Sequence, residues 1–213
     1  MPAYRVTTTT IALTDSEVVG EDGISPFIRH LGLAATNGVA RREEAFVHEM
    51  GPPLNLPGVM RADVHATAAL NDDERRKVKS FVERHAGEHK ARSLGKRHSY
   101  CILPHSRPYP SEDEYAYTQF SCAGFVIDAY AFARIDLLDL GSTPPISLAD
   151  VCQAYPDQTA ALQIEKIRNE NGLVGPGPWP IALCGYVIHA MNRPPADIRK
   201  SQYKPKPSDA SFP

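Results

Sequence analysis

The sequence predicts an α+β domain in which a small antiparallel sheet packs against helices. Two patterns carry that prediction. Up to Met50 the chain is rich in β-branched and apolar runs and contains Asn37-Gly38, a strong hairpin signal. From Asn71 onward, and again from Cys122, apolar residues recur at helical spacing. The length of 213 residues suits a single domain with a sizeable core.

The elements follow in order. "YRVTTTTIAL" (4–13) is β-branched and reads as a strand, and "PFIRHLGLAAT" (26–36) as a second. A third is expected around Ala45–Glu49, after the Asn37-Gly38 turn. "GPPLNLPG" (51–58) holds three prolines and reads as loop. Asn71 and Glu74 stand at capping-box spacing and open a helix over 71–96. Its apolar stripe, Val78, Phe81 and Val82, is narrow, so an exposed, charged helix is expected. "HSYCILPH" (98–105) reads as a strand, and "SRPYPSEDEYAYTQ" after it as a polar loop.

From Cys122 to about Leu138 the pattern is a strongly apolar helix. Phe125, Val126, Ala129, Tyr130, Phe132 and Ala133 form its core face. Ser147 with Asp150 starts another short helix. Residues 157–172 form a further one, closed by Gly172 as C-cap. "LVGPGPWP" is loop, and "IALCGYVIHAMN" fits helix or strand. Residues 193–213 are proline-rich and polar and read as a mobile tail or extended arm. The domain therefore spans 1–192 and the tail 193–213.

Composition excludes several functions. The net charge is −2, so nothing favours nucleic acid or an anionic membrane surface. No apolar run approaches the ~20 residues of a membrane span. No basic run precedes an apolar core near the N-terminus, so a secretory signal is not expected. The four cysteines, Cys101, Cys122, Cys152 and Cys184, are scattered and form no C-x-x-C pair. Reduced thiols in a cytoplasmic protein, or export by a signal-less route, are the expectation. There is no Gly-rich phosphate loop and no dinucleotide fingerprint, and no cofactor is expected.

The chemistry concentrates at "YTQFSCAGFVIDAY" (117–130). A cysteine nucleophile needs its thiolate, which a helix N-terminus and a neighbouring histidine both favour. Ser121 is placed to cap the helix, and Gly124 in its first turn suggests a close backbone approach. Taken alone, Cys122 reads as a buried small hydrophobe. The histidines change that weighing. His30 opens the apolar run "RHLGLAATNG", and His48 lies on the strand after the turn. Two hairpin strands can bring both to one end of a sheet, one as base and the other orienting it.

The run "RHLGLAATNG…AFVHE", followed downstream by "SCAGFV" (121–126), resembles the circularly permuted branch of the papain-like NlpC-type superfamily. That branch includes the lecithin:retinol acyltransferase-like proteins. The resemblance covers residues ~24–50 and ~117–135. It implies a papain-like fold with Cys122 as nucleophile, His30 as general base and His48 as the third polar residue. Ser121, Tyr117 and Gln119 are candidates to assist at the oxyanion or substrate side. It implies a cysteine-dependent hydrolase of amide or peptide bonds working through an acyl-enzyme. Acyl transfer or lipid hydrolysis, and a non-catalytic binding domain on the same scaffold, are the alternatives.

The remaining candidates are weaker. His105 is the runner-up partner for Cys122. "HAGEH" places His85 and His89 at i and i+4 but lacks the Glu that a zinc-protease motif needs, so a solvated face is expected and no metal. Cys101, Cys152 and Cys184 lie in apolar strings and read as core. Asp128 reads as solvent-facing.

Overall fold

A computed structural model describes residues 10–12, 17–21, 30–34, 39–41, 44–50, 54–61, 64–68, 70–90, 100–109 and 117–210. Its first third is one antiparallel sheet of β1 (Thr10–Ala12), β2 (Glu17–Glu21), β3 (His30–Ala34), β4 (Val39–Arg41), β5 (Glu44–Met50), β6 (Leu54–Arg61) and β7 (Val64–Thr67). The strand order is β1-β4-β5-β3-β2-β7, with β6 also paired to β5. β3 therefore lies between β5 and β2, and its residues from Leu31 to Ala34 are buried. Both its faces are covered, which is why "HLGLA" reads as a nearly continuous apolar run rather than an alternating one.

α1 (Asp72–Lys90) follows, then a two-stranded ribbon of β8 (Ser106–Tyr109) and β9 (Tyr117–Phe120). α2 (Cys122–Phe132) leaves β9 after one residue and packs against β3, β5 and α1. Its residues from Cys122 to Ile127, with Ala129 and Tyr130, are all buried. A helix this apolar around most of its circumference belongs at the centre of the molecule. α3 (Leu148–Ala154), α4 (Thr159–Leu162), α5 (Glu165–Glu170), α6 (Cys184–Met191) and α7 (Pro195–Lys200) complete the α+β architecture. α6 packs on α2 and so sets its own first residue near that of α2.

Several expectations from the sequence are met locally. In α1 the Asn71 Oδ1 accepts from the Glu74 N–H at 2.9 Å and Glu74 returns the bond to the Asn71 N–H at 2.8 Å. Ser147 and Asp150 form the same box at α3. Val78, Phe81 and Val82 are the buried stripe of α1. Gly172 has φ +85°, and a Cβ there would sit 1.4 Å from the Leu103 carbonyl oxygen.

Others are corrected. Residues 54–61, read as partly loop, form β6. Pro57 is accommodated because the β5–β6 register shifts between Val47 and Glu49, and Leu56 and Pro57 fall in that irregular stretch. The strand expected over 98–105 reduces, among the described residues, to a single bridge between Tyr100 and Phe120. The strand lies instead at Ser106–Tyr109, where Pro108 is tolerated on a ribbon with only one neighbour. β2 and β7 were not expected. α2 ends at Phe132 rather than near Leu138, because Arg134 turns into the left-handed region at φ 65° and the Ile135 N–H bonds back to the Tyr130 carbonyl. Phe132 is 38 % exposed instead of buried, with the Arg84 guanidinium over its ring. The helix expected over 157–172 splits into α4 and α5 where Ile164 is extended.

The largest correction concerns the C-terminal segment. Residues 193–210 are docked. Arg199 makes a two-pronged bond to Glu74, at 2.9 and 2.7 Å, which ties α7 to the first turn of α1. The Tyr203 backbone exchanges bonds with Leu137 and Asp139. Tyr203 and the Lys206 N–H both bond Asp209, whose carboxylate is held below its usual range despite its burial. Low local hydrophobicity hid anchors that are individually polar and distant in sequence.

Candidate active site

Three pieces of local structure position Cys122. The Ser121 Oγ accepts from the Gly124 N–H at 2.9 Å, so the helix begins at Cys122. The Ser121 N–H donates to the His105 carbonyl at 2.9 Å, fixing the turn between β9 and α2. Gly124 lets that carbonyl press onto the helix, since a Cβ would lie 1.9 Å from its oxygen. The thiol thus stands in the first turn of a helix whose position is fixed from two sides.

Four influences converge on the Cys122 sulfur. The helix N-terminus contributes its partial positive charge. Cys184 Sγ, from the first residue of α6, lies 3.2 Å away. The Tyr100 hydroxyl donates to Cys122 Sγ at 3.7 Å. The His30 imidazole, from the first residue of β3, hydrogen-bonds the sulfur and adds positive charge beside it. The Cys184 hydrogen bond is the largest cause that holds the Cys122 thiol well below its ordinary range. Burial opposes it, and His30 and then Tyr100 add to the lowering. Cys184 moves the other way: its bond to Cys122, its burial and the thiolate's charge push its pKa well up. Between the two sulfurs, ionisation is therefore favoured at Cys122 and the proton at Cys184.

Two tyrosines complete the surround. Tyr100 and Tyr155 are hydrogen-bonded to each other, their rings 6.3 Å apart and edge-on. Both phenols are driven well up, by burial first and then, foremost among the neighbouring charges, by that of Cys122. They remain neutral donors at any physiological pH. Cys101 gives the contrast: it is buried, its Sγ lies 3.2 Å from the Pro104 carbonyl, and burial pushes its pKa up to about 12. A buried cysteine without donors is inert.

The structure brings Cys122, Ser121 and His30 together. It sets His48 differently. In the β3–β5 ladder His48 is paired with Leu33, three residues along β3 from His30. An odd separation in a strand places the two positions at opposite parity, so the ladder does not provide the expected one-face histidine pair. Tyr117 lies at the far end of the β8–β9 ribbon, its ring 5.0 Å from that of Tyr109. The Gln119 Oε1 accepts from Arg107 Nε at 2.7 Å. Tyr100, rather than either of these, brings a hydroxyl to the sulfur.

His105 meets the Cys122 helix through its backbone carbonyl, while its Nε2 lies 2.9 Å from Asp128 Oδ1. Asp128 is thus a partner of His105 and not simply a solvated carboxylate. His85, expected on a solvated face, is buried against the rings of Phe81 and Phe120 at 4.4 and 5.0 Å. The side chain of His89, and all of His98, lie outside the described residues.

Sequence reasoning missed Cys184, Tyr100 and Tyr155. One signal was present for Cys184: "CGYVIHAM" repeats the arrangement of a cysteine and a glycine at the start of an apolar helix. Gly185 serves there as Gly124 does in α2, since its Cβ would meet the Asp209 carbonyl oxygen at 2.3 Å. Among the described residues, no helix is long and apolar enough to cross a membrane. Compared with known proteins, the chain matches no family model, no curated protein and no solved structure.

Proposed function

We propose that this chain is a cysteine-dependent hydrolase of an amide or peptide bond, with Cys122 as nucleophile and His30 as general acid and base. The observation that carries the reading is a helix-capped Cys122 sulfur that is hydrogen-bonded by His30 and held as a thiolate. The histidine opens a strand clamped between two neighbours, so the two reacting groups come from rigid elements.

The chemistry follows from these groups. The Cys122 thiolate attacks the acyl carbon and the carbonyl electrons move onto oxygen. The first-turn N–H of Cys122 has no acceptor within its own helix and is a donor for that oxyanion. The protonated His30 then gives its proton to the departing amine, and an acyl-enzyme remains on Cys122. His30 takes a proton from water, which attacks the thioester and releases the acid, restoring the thiolate. An acceptor other than water would turn the same steps into acyl transfer. Cys122 is 1 % exposed while His30 and Tyr155 of its surround are part-exposed, so approach to the sulfur runs past one of these two rings.

The test is selective labelling followed by substrate trapping. Iodoacetamide at mildly acid pH should modify Cys122 well ahead of Cys101, Cys152 and Cys184. A panel of peptide anilides should leave an acyl adduct on Cys122 that mass spectrometry locates. Equal labelling of all four cysteines, with no adduct, rules the reading out.

A further inference from the structure

In the hydrolytic steps Cys184 only donates to the Cys122 thiolate and makes or breaks no covalent bond, yet its sulfur lies at 3.2 Å, nearer than the Tyr100 hydroxyl at 3.7 Å. We propose that Cys122 and Cys184 form a reversible dithiol–disulfide pair, with Cys122 oxidised by hydrogen peroxide and Cys184 acting as the resolving thiol. The proposal shares with the preceding section the reading of Cys122 as a thiolate, but it does not depend on hydrolysis.

The geometry carries it. The two sulfurs are 3.2 Å apart, and a disulfide needs about 2.05 Å. Closing the gap takes about 1 Å of movement shared between two side chains. The cysteines lie 62 residues apart in sequence, so their meeting is a product of the fold and not of local chain geometry. Each stands at the first position of a helix, and each helix start is pinned by a glycine against a backbone carbonyl: Gly124 against His105, Gly185 against Asp209. Neither Cys101 nor Cys152 has a thiol partner of this kind. Cys101 faces the Pro104 carbonyl, and Cys152 receives Gln163 Nε2 at 3.6 Å.

The steps balance. The Cys122 thiolate attacks one oxygen of the peroxide, the O–O bond breaks, and Cys122 becomes a sulfenic acid as hydroxide leaves and is protonated. The Cys184 sulfur then attacks the sulfenic sulfur. The S–O bond breaks, the Cys184 proton leaves with the hydroxyl as water, and the disulfide forms. A dithiol returns two electrons and two protons and is itself oxidised. The first step prepares the second. Two of the causes that hold Cys184 protonated are its bond to the Cys122 thiolate and that thiolate's charge, and oxidation to a neutral sulfenic acid removes both. Cys122 and Cys184 are 1 % and 5 % exposed, which suits a small oxidant.

The full chain is treated with hydrogen peroxide, blocked with N-ethylmaleimide in denaturant and digested. A Cys122–Cys184 linked peptide is expected, with Cys101 and Cys152 blocked as free thiols. Iodoacetamide labelling of Cys122 on the native protein should be lost on oxidation and regained with dithiothreitol. In Cys184→Ser, dimedone should trap the Cys122 sulfenic acid, which otherwise proceeds to higher acids. Accumulation of those acids in the wild-type chain without the linked peptide overturns the proposal, whatever the variant does. A linked peptide in a protein that forms no acyl adduct upholds the redox pair and removes the hydrolase. An acyl adduct without a linked peptide does the reverse.

Discussion

Replacing His30 by alanine removes a cationic partner of the Cys122 sulfur and leaves Cys184 and Tyr100, both neutral donors, in place. A histidine-paired cysteine titrates below an ordinary one, which lies near about 8.5, and burial without a counter-charge pushes a thiol higher. At neutral pH the thiolate fraction should therefore fall, though not to that of a free thiol, because Cys184 stays in place; losing an opposite charge within hydrogen-bond reach raises a pKa by about 1–3 units, roughly 1.4–4 kcal/mol. The labelling rate at one pH will hide much of this. A more basic thiolate is intrinsically more nucleophilic, with a Brønsted slope of about 0.4–0.5, and recovers roughly tenfold over a shift of ~2 units. The informative assay is the pH profile of iodoacetamide labelling at Cys122, followed by peptide mapping. In the wild type, reactivity should rise with pH as the thiolate forms and level off below neutrality. In His30→Ala the midpoint should move up by about 1–3 units, with Cys184 and Tyr100 still holding part of the lowering. Turnover of an amide should fall by a further ~10²–10⁴, because the leaving amine also loses its acid. A midpoint common to both proteins, or a wild-type midpoint at the ordinary thiol value, would refute the reasoning.

Other perturbations are equally direct. Tyr100→Phe deletes the hydroxyl at 3.7 Å from the sulfur and should raise the same midpoint by about one unit, the low end for a bond to a charged group of ~1.5–3 kcal/mol because the contact is long. No change would remove Tyr100 from the site. Gly124→Ala forces a Cβ to within 1.9 Å of the His105 carbonyl and should lower unfolding stability by about 1–3 kcal/mol in urea melts. An unchanged midpoint would contradict the close approach of that loop. Arg199→Ala should cost about 1 kcal/mol at neutral pH, at the low end for a charged bond because Arg199 is 37 % exposed. Arg199 heads the causes that hold the Glu74 carboxyl below its usual range. That stability is complete above the unfolded value near 4.3 and fades as pH falls through the lower folded value. The gap between wild type and variant should thus narrow in melts near pH ~3; a gap independent of pH would sink this account.

What the sequence reveals is what local chemistry decides. Ser121 before an apolar run, Ser147 with Asp150 and Asn71 with Glu74 each mark a helix start, because the cap and the helix it closes are neighbours in the chain. Gly172 is legible for the same reason. Features set by distant partners are not. β6 carries Pro57 and survives because β5 tolerates a register shift opposite it. Residues 193–210 look like a tail until Glu74, Leu137 and Asp139 receive them. His48 shares the sheet with His30, but parity depends on a register that no turn dipeptide fixes once the hairpin is long. Cys184 reads as core because it is core; only the packing of α6 on α2 makes it a neighbour of Cys122.

The dependence of Cys122 on a residue 62 positions further along has a consequence for the chain as it is made. Vectorial synthesis delivers β3 and α2 well before α6, so an early nascent chain holds His30 and Cys122 without the thiol that contributes most to the ionised sulfur. Its cysteine is then closer to an ordinary thiol, slow to react with electrophiles met on the ribosome. Reactivity arrives only when α6 docks, which makes the ionisation of a single sulfur a built-in reporter of completed folding.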